Sequence, residues 1–130
     1  MTVGIAAATL NSWLDGLCRS TVWTEPAGFF VKLHTADPGA AGATAAAAET
    51  TRQSVTFSAS SAGAITNSAA VTWTNVSTAE QYSHVSFWDA STAGTFLGSD
   101  DLAVARTVAA GDTFEIAIGD LDLAITPVAA

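Results

Sequence analysis

Tyr82-Ser83-His84-Val85-Ser86-Phe87-Trp88-Asp89 is the most informative stretch of this chain for its architecture. Neighbouring side chains of a strand point to opposite faces, so Val85 and Phe87 share one face, while Tyr82, His84, Ser86 and Trp88 share the other. A strand with large side chains on both faces is buried on both. One face is expected in the core, the other beneath an N-terminal helix or a second subunit. The competing reading makes Trp88 a flat platform for a sugar ring.

Outward from this strand, short apolar stretches alternate with Gly, Ser, Asn and Asp, a rhythm that predicts an all-β domain. Strands are expected over Phe29 to His34, Gln53 to Ser58, Ala69 to Thr74, Thr95 to Ser99, Thr113 to Ile118 and Leu121 to Ile125. Val55 and Phe57, Val71 and Trp73, and the set Phe114, Ile116 and Ile118 each place apolar side chains on one face, expected toward the core. Asp37-Pro38-Gly39 is turn chemistry, because Pro fixes φ and Gly supplies positive φ. The alanine run Ala45 to Ala48 beyond it is expected either as a helical turn or as a loop lying on a neighbouring subunit.

Toward the N-terminus the period changes. Ala6, Leu10, Trp13, Leu14 and Leu17 recur every three or four residues, which predicts one helix from Val3 to Arg19 with Thr2 as its cap. The architecture expected is a mainly β, antiparallel, jelly-roll-like sandwich with one N-terminal α-helix. It forms a single domain over residues 1–130, with the helix in 1–20 and the sandwich in 28–126.

Composition narrows the function. The 130 residues are 49% hydrophobic and 12% charged, with a net charge of −8. Lys32, Arg19, Arg52 and Arg106 are the only bases, too few to neutralise a run of phosphates, so nucleic acid is not an expected partner. No apolar run reaches the ~18–20 residues that span a bilayer, so no membrane is expected either. The opening Met1-Thr2-Val3-Gly4-Ile5 lacks a basic start and is not read as a cleaved signal. A single cysteine, Cys18, excludes an intrachain disulfide and is taken as a small packing residue. So little charge favours an oligomer or a subunit of a larger assembly.

Sites for chemistry are sparse. His34 and His84 with Asp37 and Asp89 are the only set from which a metal or hydrolytic centre could be built, and their spacing matches no ligand motif. Structural histidines bonded to loop backbone are expected instead. Ser83 precedes His84, yet adjacent strand residues face opposite ways and no nucleophile elbow surrounds it. Asp100 with Asp101, and Asp120 with Asp122, are read as solvated loop ends rather than a calcium site. No catalytic, cofactor or metal residue is expected. The interface candidates are Leu10, Trp13, Leu14 and Leu17 on the helix, and Trp88.

Several stretches carry a resemblance to a known family: Val31-Lys32-Leu33-His34-Thr35-Ala36-Asp37-Pro38-Gly39, Arg52 to Phe57, Asn67 to Trp73, His84 to Ala90, Gly94 to Gly98 and Ala110 to Thr113. In this order, from about Phe29 to Ile125, the chain resembles small tailed-phage virion proteins described as tail fibre or minor tail proteins. The resemblance implies a non-enzymatic structural component of the virion, assembled in the bacterial host cytoplasm. A capsid decoration protein that stabilises the shell is the alternative. The partners expected are further copies of the chain, as a homotrimer with the helix near its axis or against the docking surface, other virion proteins, and a host-surface glycan.

Overall fold

The computed structural model describes residues 3–125. The elements in chain order are β1 (Gly4–Ile5), α1 (Ala7–Cys18), β2 (Phe30–His34), β3 (Gln53–Ser54), β4 (Ala64–Thr66), β5 (Val71–Trp73), β6 (Glu80–Trp88), β7 (Phe96–Val108), β8 (Phe114–Ile116) and β9 (Asp122–Ala124). The chain is mainly β and its strand pairs are antiparallel, with one helix near the N-terminus. A five-stranded sheet in the order β1-β7-β6-β2-β3 forms one layer, and the ribbons β4-β9 and β5-β8 form the other.

The core lies between these layers and follows the alternation. Val31 pairs with Phe87 and Leu33 with Val85, all four buried on one face of the sheet. Across from them the ribbons contribute Val71, Trp73, Phe114 and Ile116. Phe114 of β8 meets Tyr82 of β6 edge-on, at 5.0 Å between ring centroids, and stacks obliquely on Trp73 at 5.8 Å. Aromatic pairs at such separations add to the burial term, which is itself about 25 cal/mol per Å² of apolar surface.

Tyr82 departs from the expected face. The alternation from Tyr82 to Asp89 assigns it to the side of Trp88, whereas it is fully buried in the core. A register break explains this: Tyr82 pairs with Arg106 and His84 with Asp101, so Leu102 to Ala105 of β7 bulge out opposite Ser83 alone. Such a bulge bends the strand and re-aims the side chains beyond it.

The other face of β6 is covered in part, His84 and Trp88 staying half-buried. The cover is the segment after β2, whose Thr44 O meets His34 of the neighbouring strand, and not α1. The segment after β2 returns along its free edge, where Ala47 N–H donates to Leu33 O (3.1 Å) and Thr35 N–H to Ala45 O (2.9 Å). The alanine run therefore forms no helical turn; it is hydrogen-bonded to its own sheet. Gly42, at φ +68°, lies so close to the Phe96 ring that a Cβ there would collide with it.

Boundaries differ where charge or small residues mislead. The expected strand Thr95 to Ser99 continues to Val108, because Asp100 and Asp101 pair with Val85 and His84 instead of ending the strand. They are tolerated because β7 is open to solvent along much of its outer edge. The expected strand Gln53 to Ser58 shrinks to Gln53–Ser54, with an isolated bridge from Phe57 to Asn67 beyond it. Strand β4 sits in a Ser- and Ala-rich stretch that carries no strand signal. The helix starts later than expected: Gly4 and Ile5 pair with Ser99 and Gly98 before the chain turns at Ala6, whose N–H donates to Leu97 O (2.8 Å). Ala6 is the N-cap and makes no side-chain cap, while Thr2 and residues 126–130 lie outside the described residues.

Candidate functional site

Helix α1 holds to the body with its small side, not its large one. A methyl at Gly16 would lie 3.0 Å from Trp23 Cβ, so the helix and the segment after it touch there. Thr9 and Ser12, close to Gly16 around the helix, line a cleft with Trp23. At 100° per residue the stripe of Leu10, Trp13, Leu14 and Leu17 is centred about a third of a turn away from that side. No helical residue is buried; Leu10 is half-covered, and Leu17 is 68% exposed. Cys18 is exposed as well, which corrects its reading as a packing residue. The charges of the helix are Asp15 and Arg19, which form an ion pair at 3.3 Å.

Beside the helix, the end of the core opens into a groove of about 250 Å³, lined by Ile5, Thr9, Trp23, Phe29, Leu97 and Leu123 among others, with almost no polar surface. Among the described residues, six of the nine exposed large apolar side chains lie between Ile5 and Trp23.

Trp88 is half-buried and held by its neighbours. Its Nε1–H donates to Ser86 Oγ (2.8 Å), Phe96 packs against it at 5.6 Å, and the Arg52 guanidinium lies over the ring. This anchors the indole in the sheet's outer layer and occupies one of its faces. Arg52 is held below the ordinary guanidinium range, burial lowering it and the charge of Asp89 opposing this.

The histidines and acids do not converge. His34 is buried, with Nδ1 at 2.8 Å from Thr44 O and Nε2 at 2.8 Å from Ser86 Oγ. One proton arrangement satisfies the chain: Trp88 donates to Ser86, Ser86 donates to His34 Nε2, and His34 Nδ1–H donates to Thr44 O. Burial, the largest cause, holds this imidazole below its ordinary pKa, with the backbone carbonyls opposing. Asp37 Oδ1 accepts Gly39 N–H (2.8 Å) and Asp89 Oδ1 accepts Thr95 N–H (2.7 Å), so both carboxylates close turns.

Ser83 and His84 do touch, at 2.8 Å between Oγ and Nδ1, contrary to the expectation from alternation, because the register breaks there. Ser83 Oγ–H donates to Thr35 O (2.9 Å), which leaves its oxygen as the acceptor for His84. Proton flow in that direction does not activate a serine.

Asp100, Asp101, Asp120 and Asp122 line a cleft of about 500 Å³ near β1 and β9. Asp100 and Asp101 belong to β7 and are not loop ends. The Asp100 carboxyl is pushed up to about 6, chiefly by burial and then by the charges of Asp101 and Asp122, against backbone hydrogen bonds from the same two residues. Among the described residues no three His, Cys, Asp or Glu side chains come together to hold a metal ion.

The residue that reasoning from side-chain type passed over is Asn67. Buried between the layers, it donates from Nδ2 to Ala69 O (2.9 Å) and Ala117 O (3.0 Å), while Oδ1 accepts Gly119 N–H (2.9 Å) and Leu121 N–H (3.0 Å). It ties the start of the β4–β5 connection to the β8–β9 turn. An Asn amid Ser and Thr reads as a loop residue, and only the approach of the two connections reveals it as a strut.

A small mainly-β module with a charge-balanced apolar helix at one end has the features of a building block of an assembly; among the described residues its interior leaves one buried polar side-chain atom, the Tyr82 hydroxyl, without a partner. The family model described as Podophage GP4 fiber I protein gp80 matches residues 4–124, and the chain belongs to that family. It is thus a fibre-type structural component of a bacteriophage virion. No curated protein sequence matches the chain significantly.

Proposed function

We propose that the chain is a non-enzymatic tail fibre or minor tail subunit, carried on the outside of the particle, that docks through α1 and displays its β body outward. The observation that carries this reading is the division of the surface. The stretch through residue 24 holds one acid and one base, Asp15 and Arg19, so the whole net charge of −8 belongs to the remainder. The same short stretch holds most of the exposed large apolar side chains. An apolar patch without net charge is what docking needs, and a charged body stays soluble and apart from other bodies.

Docking within the particle, against a further copy of the chain or another virion protein, would cover Leu10, Trp13, Leu14 and Leu17 during assembly in the host cytoplasm. The body then faces the host surface, a glycan being the receptor class in this reading. Many copies per particle multiply a weak contact by avidity.

Mass spectrometry of separated heads and tails tests the placement. Recovery of the chain with tails is the expected result. Recovery with heads alone overturns it in favour of capsid decoration, where a subunit stabilises the shell by binding only the assembled lattice.

A further inference from the structure

We infer that the face formed by α1 and the adjacent apolar groove is covered by a second copy of this chain, the Leu14–Leu17 ridge of each copy entering the groove of the other. This rests on the reading of α1 as the docking element and names its first partner.

Three observations favour a second copy. The ridge is convex and the groove concave, and they lie side by side: Thr9 lines the groove one residue before Leu10 begins the ridge. A twofold arrangement can therefore satisfy both at once, each copy giving a ridge and receiving one. The groove, at about 250 Å³ and nearly free of polar surface, has the size and chemistry for a leucine or tryptophan side chain, and the chain's own residues leave it open.

Area is the second observation. Large side chains bury about 150–250 Å² when fully covered, so the exposed fractions of Ile5, Trp13, Leu14, Leu17, Val22 and Trp23 amount to roughly 600 Å² per copy. A standard interface takes about 800 Å² per partner, so the patch accounts for about three quarters of one.

Charge is the third. Two bodies that each carry the full −8 repel one another over most of their surface. The helix, whose Asp15 and Arg19 neutralise each other, is where copies can meet without that cost. Salt screens the repulsion between bodies and leaves the apolar contact intact, so self-association should strengthen as salt is added. A basic partner attracted to the body would show the opposite trend.

Sedimentation velocity on the full chain, from about 1 to about 100 µM and at low and high salt, tests this. The mass is expected to rise with concentration, and at lower concentrations in high salt. Two variants separate ridge from groove. Leu17→Glu spoils the ridge, and Thr9→Met fills the groove while keeping a good helix former. Each alone should remain monomeric with unchanged circular dichroism, and an equimolar mixture should recover association through one intact ridge and one open groove. Leu17→Gln serves if the charged variant misfolds.

A wild-type chain that stays monomeric throughout overturns the inference, as does association that Leu17→Glu leaves intact. If the wild type is monomeric yet Leu17→Glu particles lack the subunit, another virion protein covers the face: the second copy is excluded and the docking role of α1 stands. If self-association behaves as stated but the chain is absent from tails, the tail assignment fails and this inference survives.

Discussion

The Arg52 guanidinium lies 4.0 Å from the centroid of the Trp88 ring, and its Nη1 also donates to the carbonyls of Ala90 (2.9 Å) and Ala93. Arg52 immediately precedes β3 and Trp88 ends β6, so one side chain fastens the edge of the sheet to the β6–β7 connection. A planar cation can stack and donate at once, which a lysine ammonium does less well. Arg52→Ala should lower unfolding free energy by about 2 kcal/mol, through the lost cation–π contact and the carbonyls left without a donor. Arg52→Lys should recover less than half of it. Urea denaturation measures both, and an unchanged midpoint for Arg52→Ala contradicts this role.

Asn67 should prove costlier. It satisfies two donors and two acceptors in a buried place, and truncation strands partners on both connections. Asn67→Ala is expected to cost about 3 kcal/mol. Asn67→Asp should cost more, since a carboxylate oxygen would face the carbonyls of Ala69 and Ala117. Thermal melts of the two variants check the order.

Asp100 makes stability depend on pH. Its folded pKa, about 6, lies above the ordinary value of 3.8. The protonated form therefore favours the fold, and this contribution is complete below pH 3.8 and lost as pH rises through 6. Asp100→Asn keeps an acceptor for Asp101 N–H and removes the charge facing Asp101 and Asp122. The variant should exceed the wild type by about 1 kcal/mol at pH 7.5, a figure reduced for partial solvent screening, and match it near pH 4. Parallel curves across that range contradict the assignment.

His34 works in the other sense. Burial holds its folded pKa below the ordinary 6.5. Its contribution to stability is full above pH 6.5 and lost as pH falls toward the folded value. Nitrogen NMR should show the ring titrating below the ordinary 6.5 and, in its neutral form, carrying its proton on Nδ1, as donation to Thr44 O requires. A midpoint above 6.5, or a neutral ring protonated on Nε2, contradicts the chain from Trp88 through Ser86.

The two ends of the molecule should respond oppositely to leucine loss. Leu33→Ala, in the core, is expected to cost about 2–5 kcal/mol. Leu17→Ser, on the free side of α1, should stay within about 0.5 kcal/mol in dilute protein. A large loss for Leu17→Ser would mean that the ridge packs on its own body.

Much of this architecture was legible in side-chain period. Val85 with Phe87, and Val71 with Trp73, landed on the core face because a strand with one buried side leaves little freedom of register. The stripe from Leu10 to Leu17 marked the helix, and its Trp13, Leu14 and Leu17 are left exposed. What stayed hidden depends on contacts between distant segments. The β7 bulge that carries Tyr82 into the core comes from pairing with residues near Arg106, and no local pattern around Tyr82 encodes it. Asp100 and Asp101 resembled a turn because their strand partners lie on β6. Asn67 became a strut only when the turn at Gly119 came within reach, and the groove beside α1 belongs to no single segment.

Docking through α1 with the body facing outward is best checked on intact particles, by electron microscopy with gold-labelled antibodies. One antibody should recognise the loop around Ala109 to Thr113, on the body, and another the ridge from Leu10 to Leu17. Label is expected at the tail from the first, and none from the second until particles are dissociated. Label from the ridge antibody on intact tails, or body label over the capsid, would contradict this arrangement.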